Sequence, residues 1–400
     1  MRGYLNDLGV ICALGSGKHA VAEALFAADR SGLRANDAWV EGRRLTLGEV
    51  RAELPSLPTA MRDSDSRNNR LLLAAALQIE EPLRQALARF GAARIGVVLG
   101  TSTSGIQEAS LGIAEGLRSG RLPADYRYPQ QEMSAPAVFL ADWLGLCGPV
   151  YCLSTACTSS GRALLSAQRL LRQGLCDAVL CGGVDSLCGL TLNGFAALEA
   201  VAEERCLPFS ANRQGINIGE GAALFLMTRD PLGPEAAPIA LLGGGASSDA
   251  HHISAPQPQG LGARQAMTRA LAAAGVQAAQ IDYLNLHGTA TRHNDAMESL
   301  AVDALFPAGV PCSSSKGQIG HTLGAAGALE AAFCWLTLSG CNPHHYLPPH
   351  VWDDQPDPEL PRLALVAPGS RLAKRDARCL MSNSFAFGGN NLSLIFGDAR

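Results

Sequence analysis

The stretch Ser154-Thr155-Ala156-Cys157-Thr158-Ser159-Ser160-Gly161 decides how this chain is read. Before it, Val150-Tyr151-Cys152-Leu153 is a short β-prone run. After it, Ala163, Leu164, Ala167, Leu170 and Leu171 recur at helical spacing. Cys157 therefore sits on a strand-to-helix turn. Its small neighbours let a backbone or ligand come close, and the unbonded N–H groups of a first helical turn favour a thiolate. A cysteine so placed is a candidate nucleophile. Free cysteines also pack as small buried hydrophobes, and the local pattern alone leaves that alternative open.

Working outward, 400 residues at 47% hydrophobic and 17% charged suffice for one large core or two fused halves of ordinary domain size. A net charge of −4 creates no field that favours nucleic acid, and none is expected as a partner. The start, Met1-Arg2-Gly3-Tyr4-Leu5-Asn6-Asp7, lacks the basic-then-apolar order of a signal peptide, and no apolar run is long enough to cross a bilayer. The expectation is a cytoplasmic protein without a membrane segment. Twelve cysteines are scattered through apolar segments with no paired C-x-x-C spacing, which reads as core filler in a reducing compartment. The pairs His251-His252 and His344-His345 lack a cysteine or an i, i+4 partner, so no metal site is expected.

In chain order, apolar runs at 8–15, 95–100 and 178–185 read as buried strands that end in glycine turns. Between them lie helical patterns, one predicted as a single long helix over 70–90 with Pro82 as its weak point. Alternating strand and helix favours an α/β fold. Residues 231–238 look like a connector, after which the pattern starts again with a strand at 239–243, a helix over 263–274 and a strand over 281–287. Gly100-Thr101 has a counterpart in Gly288-Thr289, and the Cys157 turn has one in Gly320-His321-Thr322. The correspondence predicts two halves, residues 1–236 and 237–400, related by pseudo-two-fold symmetry. Cys157 and His321 then stand at matching helix starts, with His287 joining them from a strand end.

Three motifs of the second half put polar groups at such ends: Asn285-Leu286-His287-Gly288-Thr289-Ala290-Thr291 with Asp295 and Glu298; Ser315-Lys316-Gly317-Gln318-Ile319-Gly320-His321; and Ser382-Asn383-Ser384-Phe385-Ala386-Phe387-Gly388-Gly389-Asn390. With the cysteine turn, Gly219-Glu220-Gly221-Ala222 and Asp249-Ala250-His251-His252, this ordered set resembles a β-ketoacyl-acyl carrier protein synthase of the elongating Cys-His-His type, within the thiolase-like superfamily. The resemblance covers nearly the whole chain.

It implies a five-layered αβαβα fold, usually dimeric, and a two-stage reaction. Cys157 takes an acyl group from a thioester, and the acyl-enzyme then condenses with a malonyl-type thioester that loses carbon dioxide. By the same resemblance the backbone amides of Cys157 and Phe387 form the oxyanion hole, and His287 and His321 donate hydrogen bonds to the enolate oxygen. Lys316 is the charged support near His321, with Glu330 as its ionic partner; a purely structural salt bridge is the competing reading. Asp295 and Glu298 are supporting charges. Thr289 and Thr291 hydrogen-bond the phosphopantetheine arm, Phe387 gates the acyl pocket, and Phe195 lines it. No cofactor is bound for catalysis; substrates arrive on the phosphopantetheine of acyl carrier protein. The implied assembly is a homodimer or a heterodimer with a related synthase-like subunit.

The chain departs from that pattern in places. Ala386 stands where glycine is usual between the two phenylalanines, Ser210 replaces an aspartate, Leu207 an arginine, and Ile216 a phenylalanine. Thr103 occupies the place of a larger residue that limits chain length, which points to an unusual acyl chain such as a polyene or polyketide intermediate. Arg62, Arg67 and Arg70 are candidates for contact with an acidic carrier protein. The competing function is a non-catalytic chain-length-determining partner subunit, against which the intact Cys157 argues.

Overall fold

Strands that are apolar along every position need cover on both faces. The computed structural model, which describes residues 2–233, 238–375 and 377–398, provides it with helices above and below one large mixed sheet. The chain opens with β1 (Gly3–Cys12), the short β2 (Gly15–Ser16), α1 (Lys18–Phe26) and a hairpin of β3 (Leu33–Val40) and β4 (Arg43–Gly48). Next come α2 (Arg67–Leu77), α3 (Glu80–Phe90), β5 (Ile95–Gly100), α4 (Ile106–Ser119) and α5 (Ala135–Leu144). The segment around the cysteine is β6 (Val150–Leu153) and α6 (Ser159–Arg172), followed by β7 (Ala178–Asp185), α7 (Gly189–Ala197) and β8 (Gly221–Thr228).

The rest begins with β9 (Ile239–Ser248), α8 (Leu261–Ala274), β10 (Tyr283–Asn285), α9 (Arg292–Leu305), β11 (Pro311–Ser313) and α10 (Lys316–Ile319). It closes with α11 (Ala326–Leu338), β12 (Ala364–Leu365), β13 (Cys379–Ala386) and β14 (Asn390–Asp398).

The strand order is β12-β11-β10-β13-β14-β9-β1-β8-β7-β5-β6, with β2 beside β1. Among the described residues, only Gly3 and Tyr4 join β1 to β9, opposite Leu241 and Ala240. Outward from that joint the two sides carry the same plan. With the two-residue strands β2 and β12 set aside, each runs first, fifth, fourth, second, third in chain order, two antiparallel pairs followed by two parallel ones. Neighbouring residues of a strand feed opposite layers: Val97 packs with α2 and α5 residues such as Leu72 and Leu140, while Val98 packs with Leu164 of α6 and Phe333 of α11. On the other side Ile395 meets Met267 and Leu271 of α8, whereas Leu394 faces the central layer. Two helices packed against each other, α6 and α11, thus form the middle of five layers αβαβα. The boundary expected between 236 and 237 falls within 234–237, outside the described residues.

The single long helix expected over 70–90 is in fact two, α2 and α3. The break lies at Gln78, whose side chain leaves the helix to accept from Val10 N (2.9 Å) and donate to Val10 O (3.1 Å) on β1. Pro82 does no damage, since it lies in the first turn of α3, where an N–H has no intrahelical partner.

Candidate active site

The turn between β6 and α6 holds Ala156 at φ +53°, a left-handed conformation that is strained for a residue with a Cβ. Hydroxyls brace it: Thr155 N donates to Ser159 Oγ (2.9 Å), and Thr158 Oγ1 donates to Thr155 O (2.7 Å). Gly327 of α11 then lets the two central helices cross closely, because a Cβ there would lie 2.8 Å from Gly161 N. That crossing brings the two matched helix starts together. His321 Nε2 is 2.9 Å from Cys157 Sγ, and the His287 ring stands edge-on to His321 with centroids 5.3 Å apart. All three residues are buried.

His287 is held from several sides. Glu298 accepts from its N–H (2.8 Å) and from Gly288 N (2.7 Å), and Lys316 Nζ donates to its carbonyl (2.5 Å) with Nδ1 at 3.4 Å. The ammonium pairs with Glu330, both side chains being only 2% exposed. Lys316, expected as the charged support near His321, makes its hydrogen bonds to His287, and its charge reaches the His321 ring as well. Asp295 accepts from Phe209 N (2.7 Å) and Ala290 N (3.2 Å), tying the 208–210 turn to the His287 loop.

Burial governs the ionisation of the cluster. It pushes the Cys157 thiol up to about 12, against the pull of Lys316 and of the N–H groups of Cys157 and Phe387, so the resting sulfur is a thiol; the helix terminus does not outweigh desolvation. Burial and then Lys316 hold both histidines well below their ordinary value, hence neutral. Burial raises Glu330 and Glu298 to about 7 and Asp295 to about 6. The sulfur and imidazole atoms lie within 4.8 Å of one another, close enough to ligate a metal, but the Lys316 ammonium against His287 opposes a further dication.

A cavity of about 610 Å³ leads to these groups. Phe195 and Phe387 line it with ring centroids 5.7 Å apart, as do Thr289 and Thr291, whose hydroxyls are 2.9 Å apart. Ala386 is extended at φ −106°, and the left-handed turn falls on Gly388 (+77°) and Gly389 (+71°), so alanine is unstrained here. Thr103 is not among the lining residues; its hydroxyl donates to Asp185 (2.8 Å) inside the first half. Arg67 and Arg70 are committed to Glu220 and Asp65, beside a separate pocket. The sequence reading missed Leu198, Gln214, Arg292 and His293, which also line the cavity; for the last two, their place directly after Thr291 was the available signal.

A thiol between two neutral imidazoles, two N–H groups aimed at its sulfur, and matched halves of an αβαβα fold define a thiolase-like condensing acyltransferase. Comparison with known proteins agrees. Residues 16–231 match the family described as beta-ketoacyl synthase, N-terminal domain, and residues 239–351 match its C-terminal domain. The chain belongs to the β-ketoacyl synthase family. Among its relatives, nodulation protein E of Rhizobium meliloti is 33% identical, covering 87% of this chain and 88% of that protein. The 3-oxoacyl-[acyl-carrier-protein] synthase 2 of Rhizobium meliloti (strain 1021) is 39% identical over 62% of this chain and 60% of its own length. Among solved structures, a chain of the Xenorhabdus doucetiae ketosynthase ApeO in complex with its chain length factor ApeC is 45% identical, with TM-score 0.93 and coverage of 100% and 98%.

Proposed function

We propose that this chain is a β-ketoacyl-acyl carrier protein synthase that loads an acyl group on Cys157 and extends it by decarboxylative condensation with a malonyl thioester. The observation that carries the reading is the 2.9 Å contact between Cys157 Sγ and His321 Nε2, with His287 beside it. In the first stage Sγ attacks the thioester carbonyl carbon while its proton passes to His321 Nε2. The N–H groups of Cys157 and Phe387, both directed at the sulfur region, hold the oxyanion. The carrier thiolate leaves and takes a proton from solvent, so His321 enters the second stage with its Nε2 hydrogen in place.

In the second stage the malonyl carboxylate departs as carbon dioxide, and its electron pair forms an enolate whose oxygen is held by the two imidazoles. Lys316 Nζ, facing His287 Nδ1, leaves the hydrogen of that ring on Nε2, where it can donate. The enolate carbon attacks the acyl carbonyl and expels the Cys157 thiolate, which takes its proton back from His321 Nε2. The chain itself supplies these groups, so the reading requires no resident cofactor; Thr289 and Thr291 at the cavity wall suit the amides of a phosphopantetheine arm.

Acyl carrier protein is the substrate-bearing partner, as the names of the synthase relatives suggest. A dimer fits the surface of the first half: β6 ends the sheet as an open edge, and α4 exposes Leu111 (62%) and Leu117 (83%). Solved relatives include ketosynthases with a chain length factor, which favours a heterodimer with a related subunit and a pathway making polyenes or polyketides alongside fatty acid synthesis. The test is incubation with acyl- and malonyl-carrier protein. Carbon dioxide and a 3-ketoacyl product are expected; absence of product with every donor and with the partner subunit present refutes the reading.

A further inference from the structure

The two histidines are held differently. His287 has Lys316 at its second ring nitrogen, whereas Nδ1 of His321 is buried without a hydrogen-bond partner among the described residues. Apart from the contact with Cys157 itself, no hydrogen bond to the ring among the described residues orients His321, so its place beside the sulfur depends on the backbone around it. Before the ring, His321 N donates to Asn217 O (2.6 Å), and its carbonyl accepts from Gly219 N (2.9 Å). After it the chain makes a short turn, Leu323–Ala325, in which Leu323 adopts φ +49°, a conformation that persists only where surroundings enforce it.

What faces that turn is the carboxylate of Asp185, the last residue of β7, wholly buried. Its Oδ2 accepts from Ala325 N (3.1 Å). Its Oδ1 accepts from Thr101 Oγ1 (2.7 Å), Ser102 N (2.7 Å), Thr103 N (2.9 Å) and Thr103 Oγ1 (2.8 Å). The fit is tight, because a Cβ on Gly324 would come within 2.8 Å of Oδ2. Hydroxyls and N–H groups, rather than a cation, compensate this carboxylate for its burial. So many donors spent on one buried acid are costly to assemble unless they fix a position.

We propose that Asp185 is the positioning residue of His321: its carboxylate clamps the turn that follows the histidine onto the first half and so sets the distance between imidazole and Cys157. Asp185 touches neither substrate nor sulfur and acts only through the turn.

Alkylation of Cys157 by iodoacetamide, followed by mass mapping of its peptide, reads this contact without any acyl substrate, so its outcome is independent of whether the condensation reading holds. A displaced imidazole no longer assists the thiol, and Asp185→Asn, which turns an amide toward Ala325 N–H, is expected to slow alkylation about 10-fold or more. In a His321→Ala background the same substitution is expected to change the rate by less than about twofold, since the two act as one unit. With carrier-bound substrate, kcat falls while KM holds. Effects that multiply, or unchanged alkylation in Asp185→Asn, overturn the proposal. Two further variants keep it testable if that protein folds poorly. Gly324→Ala presses on the Oδ2 side and is expected to slow alkylation, whereas Gly340→Ala, whose added Cβ meets no atom within 4 Å, is expected to leave it at the parental rate. Equal slowing by both, or no slowing by Gly324→Ala, contradicts the clamp.

Discussion

Replacing Lys316 by methionine keeps most of the side-chain volume and removes the charge that Glu330 faces. Both partners are 2% exposed, and the second Glu330 oxygen has no hydrogen-bond partner among the described residues. Breaking a buried pair from one side leaves an uncompensated ion and costs about 3–5 kcal/mol. For 400 residues, unfolding entropy of about 2.1 cal/mol/K per residue gives roughly 0.8 kcal/mol/K, so the loss corresponds to a Tm lower by about 5 °C.

The cost has a pH signature. Burial already raises Glu330 to about 7, and without the ammonium it rises further. A carboxyl whose folded value lies above its unfolded one contributes its stability at low pH and loses it as pH rises through the folded value. The deficit of Lys316→Met is therefore expected to be small near pH 5 and to grow toward pH 8, as measured by thermal melts at each pH. The double variant Lys316→Met/Glu330→Leu, which removes both charges, is expected to regain the Tm yet remain defective in malonyl decarboxylation, because the hydrogen bond to the His287 carbonyl is gone. A Tm loss independent of pH, or no recovery in the double variant, refutes this reasoning.

Alkylation of the parent protein is expected to rise about tenfold per pH unit from pH 7 to 9, since the Cys157 thiol is pushed to about 12; a plateau below about pH 8 would show a resting thiolate instead. His350, held near 4 by burial, donates to Pro208 O (3.0 Å) and accepts from Ser314 N (3.1 Å) as a neutral ring. Its depressed value makes its contribution present above about 6.5 and lost as pH falls toward 4, so the Tm gap between parent and His350→Phe is expected to narrow in acid; a gap constant with pH contradicts this. Phe195→Trp adds bulk to the cavity wall and is expected to shift donor preference toward shorter acyl chains in competition assays, leaving Cys157 alkylation unchanged; an unaltered preference removes Phe195 from the acyl pocket.

Much of this site was legible because its chemistry is local in sequence. The Cys157 turn announces itself through small residues between a strand and an amphipathic helix, and His287 and His321 stand at the ends of equally recognisable elements. The duplicated order was legible from Gly288-Thr289 and Gly320-His321-Thr322, and the matched strand order on each side of the β1–β9 joint has the same form. What the sequence hid depends on residues that meet only in space. That Lys316 bonds to His287 as well as acting on the nearer His321 is one such case, since 29 positions separate the lysine from His287. Thr103 looked free to line a cavity until Asp185, 82 residues away, engaged its hydroxyl. The end of α2 is decided by Val10, on a strand 68 positions earlier, and not by Pro82. The resting state of Cys157 depends on how deeply the two halves bury it, a quantity that no helix-terminus argument contains.

The central claim is that Cys157 carries the acyl chain between two stages of one reaction. Intact-mass analysis after exposure to acyl-carrier protein, before and after addition of malonyl-carrier protein, tests it most directly. An acyl adduct is expected that maps to Cys157, disappears when malonyl-carrier protein is added, and reappears on that carrier lengthened by the condensation. An adduct on another residue, or product formation undiminished in Cys157→Ala, would contradict it.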